Sequence, residues 1–200
     1  MADFDAEQKI EWMTDFSGLE TENEFYTILA PAMFPGGGYG PSVTREDGTK
    51  EFYQVIRARG NSLFHPEFPV GKEFKLLTLH EWGHSFIDPA VVEYREVILD
   101  DLIPLYEMVE EEMEQQAYGT PMTFFQEQIL RAVTTVAAGE IYGEEAYEHE
   151  LKMHTQRAFH LTELTVEQIE KYVANRDDYD DFAEFIPIIL DEYKKHLETL

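Results

Sequence analysis

Residues 71–90 read GKEFKLLTLHEWGHSFIDPA, and this stretch decides the fold. Phe74, Leu77, Trp82 and Phe86 recur at the three-to-four-residue spacing of one helix face. The spacing predicts a helix running to about Ile87 and stopping before Pro89. Within it stand His80, Glu81 and His84. Four residues turn a helix by about 400°, so His80 and His84 lie one above the other on the same face. Two imidazoles so placed can reach one zinc ion at roughly 2.0–2.1 Å each. Glu81 sits about 100° round the helix, where it can serve a water without being a ligand. A metal there lowers the pKa of water toward about 7, and Glu81 takes its proton as the water attacks a carbonyl. Gly83 suits a crowded helix face. The competing reading is two surface histidines beside an acid.

The segments before Gly71 have a different character. Residues 3–29 mix Trp12, Phe16, Phe25, Tyr26, Ile28 and Leu29 with acids and read as one or two short helices, an N-terminal helical extension over 1–35. Pro31 and Pro35-Gly36-Gly37-Gly38 break the chain. Residues 36–70 are β-rich. Ser42–Arg45 and Glu51–Arg59 flank Asp47-Gly48, a hairpin signal. Asn61–Phe68 reads as an extended sheet edge, with Pro66 and Pro69 excluding a central strand.

Residues 71–200 read as helical. Val91–Gln116 is a long acidic amphipath; Pro121 opens a helix ending near Gly139; Glu144–His160 continues. Thr165 with Gln168 predicts a capping box, and Asp181–Leu197 closes the chain. A small sheet followed by some five helices is an α+β pattern in one domain.

Composition narrows the chemistry. The 200 residues contain no cysteine, which excludes disulfides, thiol nucleophiles and cysteine zinc sites. A tight metal site must use His, Asp or Glu. Fifteen Lys and Arg against 41 Asp and Glu give a net charge of −26, which repels nucleic acid and anionic membranes. The acidic runs Glu110–Glu114 and Asp177–Asp181 read as solvated faces. No run of apolar residues is long enough for a membrane span, and Met1–Ile10 lacks a signal-peptide h-region, so a cytoplasmic location is expected.

The third ligand comes from elsewhere. An elongated motif needs Gly at 87 and His at 90, whereas the chain has Ile87 and Ala90. Glu127 is an acid on an otherwise largely apolar helix, with Arg131 one turn on as a pairing partner. On the residues alone a plain Glu–Arg pair competes, and Glu107, Glu110, Asp88, His149, His154 and His160 stay open as ligands.

The stretch Leu79–Pro89, with its Ser-Phe and Asp-Pro after the second histidine, resembles the core of domain of unknown function 4932, a family read as zincin metallopeptidases without a named substrate. Ala117-Tyr118-Gly119 leading to Glu127 and Arg131-Ala132 is similar to a downstream stretch of that family, as is Tyr172-x-x-Asn175-Arg176-Asp177-x-Tyr179 with Phe182 and Phe185-Ile186-Pro187. Gly37-Gly38-Tyr39 echoes its Gly-Gly-Tyr. Trp82-Gly83 departs from the Phe-Ser usual between the histidines. The resemblance spans roughly residues 38–195. It implies a minimal zincin-like fold and a gluzincin-like site in which His80, His84 and Glu127 hold one Zn2+ and Glu81 is the base. The expected partner is a peptide or protein substrate, which can add as a strand along the sheet edge. Tyr118 or His154 would serve the oxyanion. Two alternatives remain: a non-catalytic acidic interaction protein with a structural metal or none, and a zinc amidohydrolase with a non-peptide substrate.

Overall fold

A computed structural model describes residues 5–19, 23–33, 38–59 and 65–200. It is an α+β structure, a small sheet followed by a mainly helical half. Two compact units are present: residues 1–14 with 19–86, and residues 15–18 with 87–200. The division falls inside one continuous helix, α2, which runs Gly71–Glu93.

The first unit holds most of α1 (Ala6–Ser17) and the sheet strands β1 (Glu24–Ala30), β2 (Gly38–Tyr39), β3 (Ser42–Thr44) and β4 (Lys50–Arg57). β4 is central. It pairs parallel with β1 over seven residues, Glu24 opposite Glu51 through Ala30 opposite Arg57. On its other side β2 and β3 pair antiparallel in one unbroken register, Gly38 opposite Ile56 and Ser42 opposite Phe52. They are two pieces of a single edge strand, joined by Pro41, whose carbonyl accepts from Tyr53 N at 2.9 Å. The predicted hairpin at Asp47-Gly48 is present. Arg45 N donates to Thr49 O at 2.8 Å, and Gly48 takes φ +91°, a left-handed value that glycine adopts without strain.

The inner sheet face is aromatic. Phe25 lies 5.1 Å from Phe52, 5.2 Å from Trp82 and 5.9 Å from Phe86, ring centre to ring centre. Phe52, Ile56, Trp82 and Phe86 are all buried. Packing of this kind fixes the rotation of the first part of α2 about its axis, because Trp82 and Phe86 must face the sheet.

The second unit contains α3 (Arg95–Asp101), α4 (Ile103–Glu107), α5 (Glu110–Gln115), α6 (Pro121–Tyr142), α7 (Glu144–Thr155), α8 (Thr162–Ala174) and α9 (Ile186–Leu197). α6 is its axis, packed against α3, α4, α7 and α8. Pro121 does open it, behind Thr120, whose hydroxyl caps Thr123 N at 3.1 Å. Several polar groups inside the unit pair with one another. Gln128 bonds Thr162 and the Leu161 amide, and Thr165 shares a 2.6 Å hydrogen bond with Tyr193. Among the described residues no helix is long and apolar enough to cross a membrane.

Several elements differ from expectation. Residues 24–30, expected as part of the helical extension over 1–35, form strand β1. Their β-branched and aromatic content favours a strand, and the long-range pairing with β4 decides it. α2 does not stop before Pro89 but continues to Glu93; buried Ala90 and Val91 sustain it past an exposed proline. Val91–Gln116 is broken into short helices, with Pro104 in the first turn of α4. α6 runs past Gly139 to Gly143, where φ +90° ends it. α7 stops at Thr155, and Ala158 turns the chain with φ +63°. Thr165 caps nothing. It lies inside α8, its hydroxyl donating to Leu161 O at 2.7 Å. Residues 182–185, placed in the closing helix, form a separate 3-10 turn. The glycine break at 35–37 and the first half of the extended edge expected at Asn61–Phe68 lie outside the described residues; Arg59 and Glu67 form an antiparallel bridge.

Truncating Phe52 to alanine removes a ring from the middle of this aromatic layer. The expected loss is about 3–5 kcal/mol of unfolding free energy, read from the urea midpoint. A loss below about 1 kcal/mol would mean that the sheet does not depend on this contact.

Candidate metal centre

α2 presents His80 and His84 one turn apart, both half-buried, their ring centres 5.0 Å from each other and nearly perpendicular. Glu81 between them is only 4% exposed. Its surroundings explain two glycines of the edge strand. A Cβ on Gly38 would sit 2.6 Å from Glu81 Oε1, and a Cβ on Gly40 would sit 2.0 Å from the Glu81 carbonyl oxygen. The edge strand therefore passes directly over Glu81, and only residues without side chains fit there.

On α6, Glu127 is buried among apolar neighbours, and one turn on so is Arg131. Arg131 Nη2 lies 2.7 Å from Glu127 Oε2 and donates to the Tyr118 hydroxyl at 2.8 Å. Its Nη1 lies 3.1 Å from His154 Nδ1, and its carbon sits 4.4 Å from the centre of the Phe159 ring. A guanidinium only donates, so His154 Nδ1 accepts and the ring proton is on Nε2. That nitrogen lies 3.4 Å from Glu150 Oε2. Burial opposes the Arg131 charge, but Glu127 and Tyr118 outweigh it and hold its pKa above the usual arginine value. Burial, reinforced by the Arg131 charge, pushes His154 well below the usual histidine range, so it is neutral. Burial, then the Glu127 charge, raises the Tyr118 phenol.

His80, His84 and Glu127 form a group that could hold a metal ion: each offers one ligand atom, and these atoms lie within 4.8 Å of one another. A nitrogen–nitrogen–oxygen set suits zinc and other first-row divalent ions, and three protein ligands leave a position for a water or substrate. Glu107, Glu110, Asp88, His149, His154 and His160 belong to no such group among the described residues. The Arg131–His154–Glu150 connection escaped the sequence reading. Its only signals were Arg131, four residues after Glu127, and the same spacing between Glu150 and His154.

A small sheet, a His-Glu-x-x-His helix and a His-His-Glu group define the molecule as an α+β protein with a candidate metal centre. The chain belongs to the family described as domain of unknown function DUF4932, whose model matches residues 4–191. No curated protein and no solved structure matches it.

Two outcomes follow from the geometry. Gly40→Ala drives a methyl group into a backbone oxygen, which cannot rotate away, and should cost about 1–3 kcal/mol of stability as overpacking does; an unchanged melting temperature would contradict the close approach. The pH outcome concerns His154 and His160. Burial lowers both pKa values in the fold. Below their unfolded value of about 6.5 the unfolded chain takes up protons that the native protein refuses, so stability is full above that pH and falls beneath it. The double variant His154→Asn, His160→Asn should flatten the dependence of the urea midpoint between pH 7 and 5.5.

Proposed function

We propose that this protein is a zinc-dependent hydrolase that cleaves peptide bonds, with His80, His84 and Glu127 as ligands and Glu81 as general base. The observation that carries the reading is the separation of roles around one point. Two imidazoles and a buried carboxylate gather as possible ligands, while a second buried carboxylate, next to His80 in sequence, is outside that set. Zn2+ in such a site supplies Lewis acidity, polarising a carbonyl and lowering the pKa of water toward about 7.

The protein's own groups account for the remaining steps. Glu81 removes a proton from the attacking water as its oxygen bonds to the carbonyl carbon. The same carboxyl group then delivers that proton to the amide nitrogen as the C–N bond breaks. Tyr118 is the better of the two donors expected for the oxyanion. Its oxygen accepts from Arg131, which leaves its own proton to give. His154 is committed on one side to Arg131 and faces Glu150 on the other.

The edge strand supports a peptide rather than another amide. Tyr53 N bonds Pro41 O, and Arg45 N bonds Thr49 O, so the odd-numbered residues of 38–45 face β4. The N–H and C=O of Gly38 and Gly40 therefore point away from the sheet, and among the described residues no strand covers that side. An extended peptide can add there by main-chain hydrogen bonds, alongside Glu81.

The test combines metal analysis with turnover. Wild-type protein should retain about one zinc per chain, as such three-ligand sites do, and His80→Ala or Glu127→Ala should lose it. Glu81→Gln should keep the zinc and lose at least about a hundredfold in peptide turnover, the usual worth of a general base. Full activity in Glu81→Gln would overturn the mechanism. Zinc without turnover of any peptide library would favour a structural ion or a non-peptide amide, and absence of zinc would favour an interaction module.

A further inference from the structure

The second unit contains more machinery around Glu127 than an ion pair requires. We propose that Arg131, His154 and Glu150 act as positioning residues, holding the Glu127 carboxylate in a fixed orientation for a metal ion. The inference rests on the reading of Glu127 as a ligand. Two helical rungs carry it. Glu127 and Arg131 are four residues apart on α6, and Glu150 and His154 are four apart on α7. All four are at most 6% exposed.

The chain of contacts has a direction. Glu150 Oε2 faces the protonated Nε2 of His154 at 3.4 Å. The opposite ring nitrogen, Nδ1, accepts from Arg131 Nη1 at 3.1 Å. Arg131 Nη2 reaches Glu127 Oε2 at 2.7 Å and Tyr118 at 2.8 Å. The guanidinium plane also lies near the Phe159 and Tyr118 rings, 4.4 Å and 5.5 Å from their centres. An arginine held on several sides cannot swing, so the carboxylate oxygen it binds cannot turn either. A carboxylate so fixed meets an ion in an orientation set before the ion arrives. Partners of this kind behind a ligand are commonly worth about 10–100-fold in metal affinity. A salt bridge that merely joined two helices would need Arg131 and one acid, and its loss would lower stability without touching metal affinity.

The experiment measures Co2+ and Zn2+ affinity of the full chain by competition with a chelator, together with the melting temperature of the metal-free protein. His154→Leu removes the acceptor for Arg131 and should weaken binding about 10–100-fold. His154→Asn offers an oxygen near the position of Nδ1 and should bind within a few-fold of wild type. Wild-type affinity in His154→Leu overturns the proposal, as does equal weakening in both variants. If His154→Leu does not fold, Arg131→Lys decides: an ammonium keeps the charge but cannot span Glu127, Tyr118 and His154 together. Undiminished affinity in that variant also overturns it. Wild-type uptake is the control that separates the two readings. No metal on the wild-type protein refutes the metal centre itself, whereas tight binding by the variants refutes only the positioning role.

Discussion

Burying charge is the constraint on which the helical half of this protein depends. α6 is closed to solvent over most of its length from Phe124 to Ala138, yet it carries Glu127 and Arg131 there. Moving an ion out of water costs several kcal/mol even after relaxation. The cost is met only where opposite charge and full hydrogen bonding meet in good geometry. Arg131 offsets much of it by dividing its two Nη groups among a carboxylate, a phenol and an imidazole while its face rests near aromatic rings. The neutral state of His154 belongs to the same balance, since a second cation beside Arg131 would undo it. An apolar α6 of equal volume would pack as well or better. Stability alone therefore does not account for a buried Glu127–Arg131 pair at this place.

A second constraint operates in the sheet-bearing unit, and it is steric. Glu81 is covered by the edge strand so closely that two positions of that strand admit no side chain. The aromatic layer of Phe25, Phe52, Trp82 and Phe86 sets the distance between sheet and helix. Large rings on one side of the helix and glycines on the other side of the contact compensate for each other. A thinner layer would bring the strand into the helix backbone. A thicker one would open Glu81 to water and weaken the electrostatic leverage that burial gives it.

Legibility from sequence follows the range of the forces involved. The His80-Glu81-x-x-His84 arrangement was readable because helical geometry alone aligns residues four apart. The hairpin at Asp47-Gly48 was readable because its turn chemistry is local. Strand β1 was not, because its state is decided by pairing with residues 27 positions later. The helix breaks between residues 94 and 110 and the burial of Thr165 were missed for a similar reason: tertiary packing overruled plausible local rules. Glu127 could be named as an acid on an apolar helix, but the residues alone did not separate a ligand from a surface ion pair. Its depth, and the return of α7 bringing His154 and Glu150 to Arg131, had no sequence signal beyond two four-residue spacings.

The two constraints explain why a chain of net charge −26 is economical with charge where it matters. Nearly all of the acids among the described residues are exposed or half-buried, where mutual repulsion is screened within about 8–10 Å at ordinary salt. Among the described residues the buried acids are Glu81, Glu127 and Glu150. Glu127 belongs to the group that could hold a metal ion, Glu81 follows the His80 of that group in sequence, and Glu150 is linked to Glu127 through His154 and Arg131. Random placement of acids would put buried ones at sites where each needs its own compensation. Glu127 and Glu150 instead share one arginine, the first directly and the second through the His154 ring, so a single positive charge serves both.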